Sequence, residues 1–466
     1  MIKLYIDCTG IYRHNLNAGI QRVVRNITAQ LLEMAPARGI DCVPVACTNG
    51  IFHPCQLDDQ GNLLRPAHLK LASAARKTLQ RVQRTLCWLL PFRPVYAFCY
   101  AGEQEFGLPF MVHKVANAGR KTLRFVRGGF ARSQNIQPGV LLCADAGFTY
   151  LDDLKKSLPA LRAGGTKIIT MIYDLIPITS PEYCNPGFSA AFDVWLRFVV
   201  AQSHGLICIS DAVRQEVASF LQQIPPPKPA ASKLDYFHLG YEINDGAVQP
   251  VNVELRERVF GDERPVLLMV GTMEPRKNHE FVLRAFERLW REGREYKLCF
   301  MGRYGSNTGE LVARWNTHRE RGNRFFILTD VADADLTYAY NKAFGLICAS
   351  LKEGFGLPMV EALARGLPVL ASDIPVFREI AGAVPVYFDP ADVNSLCAAI
   401  VEYCEGARTA AARRTANFSP LSWKQSADML LTRVLRLADV DNKSRALGEA
   451  PSLDSRNSSA YRRQTL

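Results

Sequence analysis

The chain has 466 residues, 48% hydrophobic and 10% aromatic, with a formal net charge of +11. That length and composition exclude a disordered polymer and leave room for two or three domains with ample core. No apolar run approaches the ~20 residues that a membrane-spanning helix needs, and the thirteen scattered cysteines form no CxxC pair, as suits a reducing compartment.

The chain opens on "IKLYID", an alternating strand pattern, with no basic stretch and apolar core before it. A cytoplasmic protein is therefore expected. In "GIQRVVRNITAQLLEM", Ile20, Val23, Val24, Ile27 and Leu31 recur at helical spacing and mark one apolar face. "DCVPVAC" reads as a second strand. Residues 65–132 then interrupt the alternation. They carry thirteen Lys/Arg against Glu103 and Glu105, so the whole net charge resides there. Strands "GVLLCAD" and "TKIITMIYDLIPI", a helix at "FSAAFDVWLRFVVAQS", strand "GLICIS" and a helix from Asp211 follow, and the Pro-rich 225–232 blocks helix continuation.

A second alternation starts after about residue 245. Strands "PVLLMVG", "KLCFMG", "RFFILT", "GLICAS" and "LPVLAS" are separated by helices such as "HEFVLRAFERLWREG" and "ADLTYAYNKA". Short apolar strands between amphipathic helices predict parallel, doubly wound sheets. Two such blocks predict two Rossmann-like domains, 1–245 and 246–420, facing a central cleft at the carboxyl ends of the strands. A last helix, within 421–441, is expected to return to the N-terminal domain, and 442–466 reads as a polar, disordered tail.

Two stretches carry chemistry. In "GTMEPRKN" (271–278), Gly271 permits close backbone approach, and Arg276 and Lys277 are adjacent cations at a strand's carboxyl end. A guanidinium and an ammonium suit a diphosphate; the plainer alternative is a solvated basic turn with Asn278 as N-cap. In "EGFGLPMVE" (353–361), Glu353 lies in a loop and Glu361 in the early turns of a helix that starts near Leu357–Pro358. Without a polar N-cap, the first N–H groups stay available to an anion. The carboxylates suit sugar or ribose hydroxyls; the alternative is a surface acid and a dipole-compensating one.

Taken together, "GTMEPRKNHEFVLRAF" and "EGFGLPMVE", followed by "ALARGLPVLASDIPVFREI", resemble family 4 glycosyltransferases of the GT-B fold over nearly all of 260–405. "YIDCTGIYRHNLNAGIQRVVRNI" and "MIYDLIPITSPEYC" resemble, more loosely, the bacterial O-antigen and exopolysaccharide mannosyl- and rhamnosyltransferases. The resemblance implies that Arg276 and Lys277 hold the donor phosphates, that Glu353 contacts the transferred sugar and that Glu361 binds the ribose. It also implies that backbone around Gly354, Phe355, Gly356 and Leu357 holds sugar or phosphate, and that Gly19 lines the cleft. Retention of anomeric configuration without a metal or other cofactor is implied too. "DAD" (333–335) and "DVD" (439–441) read as surface charge. The family's frequent histidine before the aspartate of "IYDLIP" is Tyr173 here, so Tyr173 and Asp174 stand as sugar or acceptor contacts; the alternative is a Tyr173 that merely packs.

Within 68–132, Leu79, Val82, Leu86, Leu89 and Leu90 form an apolar face opposite Arg76, Lys77, Arg81 and Arg84, with Trp88 and Phe92 at one end. This reads as a helix lying on an anionic membrane surface, which fits a lipid-linked saccharide acceptor. A solvated face is the alternative; nucleic acid is not expected, because no recognised module accompanies the charge. The expectation is a retaining hexosyltransferase, peripheral on the inner face of the cytoplasmic membrane, with GDP-mannose as favoured donor and dTDP-rhamnose next. A non-catalytic nucleotide-sugar-binding protein, and an enzyme with a soluble acceptor, are the competing readings.

Overall fold

A computed structural model describes residues 1–14, 19–55, 136–224, 233–242, 251–305, 308–329 and 331–440. The basic segment 65–132, the Pro-rich stretch 225–232 and the tail 442–466 lie outside the described residues.

The N-terminal sheet contains β1 (Ile2–Asp7), β2 (Ile40–Thr48), β3 (Ile51–Pro54), β4 (Val140–Cys143), β5 (Lys167–Ile172), β6 (Gly205–Cys208) and β7 (Lys233–Tyr236). Their spatial order is β3-β2-β1-β4-β5-β6-β7, and every pairing is parallel except the β2–β3 hairpin. The C-terminal sheet contains β8 (Val266–Val270), β9 (Lys297–Met301), β10 (Phe325–Leu328), β11 (Gly345–Cys348), β12 (Val369–Ser372) and β13 (Val386–Phe388). Its order is β10-β9-β8-β11-β12-β13, parallel throughout. Strands such as β4 ("VLLC") and β12 ("VLAS") are buried along their whole length because helices cover both faces.

Both sheets reverse direction once, between β1 and β4 and between β8 and β11. Strand connections leave in opposite directions at such a point, opening a crevice at the carboxyl ends. The helix Gly19–Met34 buries Val23, Val24, Ile27 and Leu31 on the N-terminal sheet, as its periodicity predicts.

The helix Trp423–Leu437 packs on Gly19–Met34, β6 and β7. Its start is a capping box: Ser422 Oγ accepts from Gln425 N at 3.1 Å, and Gln425 Oε1 accepts from Ser422 N at 2.8 Å. Asp235 at β7 receives Arg433 at 3.1 Å and also Arg436. The chain leaves the N-terminal domain after Glu242 and returns before Trp423. The two passages lie side by side: Tyr241 N donates to Leu421 O at 2.8 Å, and a Cβ on Gly240 would sit 2.6 Å from the Trp423 backbone.

Candidate active site

The β8–β11 crevice gathers the chemistry-bearing residues of the C-terminal domain. After β8, Gly271 (φ 133°) turns the chain, and a Cβ there would face the Lys277 side chain at 3.9 Å. Pro275–Lys277 forms a single 3-10 turn that holds both cations over the crevice. Asn278 does not cap the next helix with its side chain; it adopts φ 62° and donates Nδ2 to Pro390 O at 3.2 Å. After β11, the loop returns Glu353 onto both cations. Arg276 Nη1 is 3.2 Å from Glu353 Oε2, and Lys277 Nζ bonds Glu353 Oε1. Ser350 Oγ donates to Glu353 Oε1 at 3.0 Å, and Leu351 N to Arg276 O at 2.8 Å, pinning the two loops together.

This cluster is more acidic than the sequence implies. Arg276 Nε also pairs with Glu274 at 2.9 Å, and Asp174 adds its field from the N-terminal domain. Burial alone would raise the Glu353 carboxyl, but Lys277 and Arg276 outweigh it and hold it at about 2. Burial would likewise lower the Arg276 guanidinium; Glu353, Glu274 and Asp174 hold it above its ordinary value. Arg276 is therefore preorganised and charged, and Lys277 is held against the same carboxylate. Arg276 commits Nε and Nη1 to Glu274, Glu353 and the Lys352 carbonyl, so among the described residues its Nη2 is the end left for an incoming anion.

The "EGFGLPMVE" stretch does not present both glutamates to the same partners. Glu361, buried in the helix Leu357–Ala364, accepts from Tyr340 Oη at 2.9 Å and pairs with Arg22 of the N-terminal domain at 2.5 Å. Gly356 (φ 95°) starts the helix with no side chain on its first N–H groups, and a Cβ there would meet the Phe377 ring at 2.6 Å. Leu357 is its first, half-buried residue; Phe355 is buried, 6.1 Å from the His238 ring. Gly354 is a domain contact: a Cβ would lie 2.1 Å from Tyr173 O, and its own carbonyl accepts from Ser210 Oγ at 2.8 Å.

On the opposing domain, Gly19 opens its helix one turn before Arg22, and among the described residues nothing lies within 4 Å of where a Cβ would project. Tyr173 Oη donates to Ala144 O at 2.7 Å, which ties the phenol to the end of β4. Asp174 accepts from Ile176 N at 3.1 Å; burial pushes its carboxyl up, and Arg276 opposes this only in part. Two further acids lie at the β1–β4 crevice. Asp7 accepts from Thr9 and Tyr150, and burial together with Asp145 pushes it up to about 6. Asp145 accepts from Gly10, Ile11 and Ala146 N–H groups. Asp335 of the "DAD" stretch accepts from Ala332 and Asn252 N–H groups. Among the described residues no group of three or more His, Cys, Asp or Glu has metal-site geometry.

Sequence reasoning missed a second interdomain contact. Glu379, on the helix Pro375–Ala381, accepts from Asp211 N at 2.6 Å and Ala212 N at 2.8 Å, and lies 2.6 Å from His238 Nε2. One carboxylate thus meets the positive end of a helix in the other domain. The acid inside "VFREI" has no motif value, and its partners are 141 to 168 positions away. Glu379→Ala is expected to cost about 1–2 kcal/mol. Hydrogen exchange at the Asp211 and Ala212 amides should accelerate; unchanged exchange would mean that the clasp is not populated in solution.

Two facing doubly wound sheets, with paired cations and a carboxylate at the C-terminal switch point, define the GT-B class of glycosyltransferase. Solved structures agree on the fold: sucrose-phosphate synthase from Thermosynechococcus elongatus covers 95% of this chain with all of its own, at TM-score 0.59 and 13% identity. An α,α-trehalose 6-phosphate synthase from Burkholderia multivorans covers 97% with 99% of its own, at TM-score 0.54 and 11% identity. Residues 252–417 match the model of the glycosyl transferases group 1, and the chain belongs to that family. The serotype-specific mannosyltransferase WbdA of Escherichia coli is 32% identical over 436 residues, covering 92% of this chain and 46% of its own length. The O-antigen chain mannosyltransferase B of Escherichia coli is 36% identical over 265 residues, 55% of this chain and 67% of its own. The chain spans less than half the length of WbdA.

Proposed function

We propose that the protein is a retaining hexosyltransferase that moves mannose from GDP-mannose to a lipid-linked saccharide in O-antigen or exopolysaccharide synthesis. The Arg276–Lys277–Glu353 cluster at the β8–β11 switch point carries the reading. When the glycosyl group is transferred, the nucleoside diphosphate departs from the donor, and fixed cations stabilise the charge that develops on it. The Leu357–Ala364 helix adds its N-terminal dipole without a metal ion. Glu353, held ionised, accepts from sugar hydroxyls; Glu361 accepts from the ribose. Mannose rests on the names of the two Escherichia coli relatives, and retention on the family resemblance. Work at the inner face of the cytoplasmic membrane, through residues 68–132, rests on their charge pattern.

The test is a donor screen followed by transfer. GDP-mannose is expected to raise the melting temperature more than UDP- or dTDP-sugars. The purified chain should then mannosylate a lipid-linked acceptor with an α-linkage. A larger shift with dTDP-rhamnose would reassign the sugar, and a β-linked product would refute retention.

A further inference from the structure

Arg22 stands on the first turn of the helix Gly19–Met34, in the N-terminal domain. Its Nη1 crosses the cleft to Glu361 Oε1 at 2.5 Å. Glu361 is 7% exposed and anchored by Tyr340 on its other oxygen, whereas the Arg22 side chain is 37% exposed. One member of the pair is fixed and the other sits at an open edge on a different domain. Such a pair gains little net, because burying the carboxylate offsets the attraction. A buried carboxylate that loses its guanidinium nevertheless needs new donors. Ribose hydroxyls are donors of that kind, and they bring the diphosphate in beside the displaced cation. A guanidinium fork matches phosphate oxygens as well as it matches a carboxylate.

We propose that Arg22 is a ligand of the donor diphosphate supplied by the N-terminal domain. It pairs with Glu361 and passes to phosphate when ribose takes the Glu361 oxygens. The proposal rests on the donor reading above and deepens it. The diphosphate would then be held from both domains, by Arg22 on one side and Arg276 and Lys277 on the other.

Calorimetry on the full chain separates the roles, with GDP and guanosine as probes, then UDP with uridine and dTDP with thymidine. Arg22→Ala is expected to weaken the nucleoside diphosphate roughly tenfold to hundredfold. The nucleoside should bind unchanged or more tightly, because Glu361 is freed. Arg22→Lys, which keeps the charge and loses the fork, should recover part of the loss and guards against a folding defect in Arg22→Ala. An equal loss for nucleoside and diphosphate would reduce Arg22 to a structural latch and overturn the proposal, as would an unchanged diphosphate affinity. If the unsubstituted chain binds no nucleoside diphosphate, the donor reading falls and this inference with it.

Discussion

Arg276→Ala and Lys277→Ala are each expected to lower sugar transfer by roughly 100- to 1,000-fold, mainly in kcat. Each side chain supplies charge where the leaving diphosphate gains it. Each also restrains Glu353, whose side chain is 11% exposed against 14% for Lys277. Removing one cation leaves a buried carboxylate short of compensation, so stability should fall by about 3–5 kcal/mol. The pH dependence distinguishes this from a general folding defect. In the unsubstituted chain Glu353 is depressed to about 2 from an ordinary 4.5. Its contribution to stability is thus complete above the ordinary value and is lost as pH falls from there toward about 2. Without Lys277, burial opposes a weaker field, so the window should close at a higher pH and the loss across it should be smaller. Urea midpoints across pH 3–7 would show a shallower acid loss in Lys277→Ala; acid losses of equal depth would mean that Lys277 does not set the ionisation of Glu353.

Gly354→Ala should be nearly as damaging to activity, through geometry instead of charge. The added Cβ would stand 2.1 Å from Tyr173 O, a backbone atom that cannot rotate aside. Either the loop or the domain interface must move, at about 1–3 kcal/mol, and the Ser210 hydrogen bond to Gly354 O goes with it. Glu353 is the next residue, so its placement over Arg276 and Lys277 shifts as well. A displacement near 1 Å can cost about 100-fold in rate, and a loss of that order is expected in kcat. Ser210→Ala removes the hydrogen bond without the collision and should cost tenfold or less. Full activity in Gly354→Ala would show that the Tyr173–Gly354 approach is absent from the arrangement that performs transfer.

What could be read from the residues follows from sequence distance. β11 and β12 announce themselves as unbroken apolar runs buried on both faces, and the helix His279–Arg291 by the helical spacing of its buried residues. Arg276, Lys277 and Glu353 stand out for a similar reason: loops that end buried strands and mix glycine with charge are few. β3 and β7 do not, since a four-residue edge strand with mixed burial has no period to show. Arg22 reads as one more cation on an amphipathic helix until Glu361, 339 positions later, folds against it. The acidity around Arg276 was equally hidden. Glu274 is a neighbour in sequence, but Asp174 arrives from the other domain.

The paired passages between domains constrain how the cleft can open. Because Tyr241 is bonded to Leu421 and Gly240 is pressed on Trp423, the described ends of the two connections are fastened together at the N-terminal domain, like the spine of a book. A single tether would let one half swivel, slide or drift. Two tethers fastened together suppress sliding and leave rotation about the line of the spine as the compliant motion. Gly354, Arg22 and Glu379 then sit on the facing pages. Their separations should rise and fall together with one angle, so a single interdomain distance, read by a pair of spin labels, would report the state of the whole cleft.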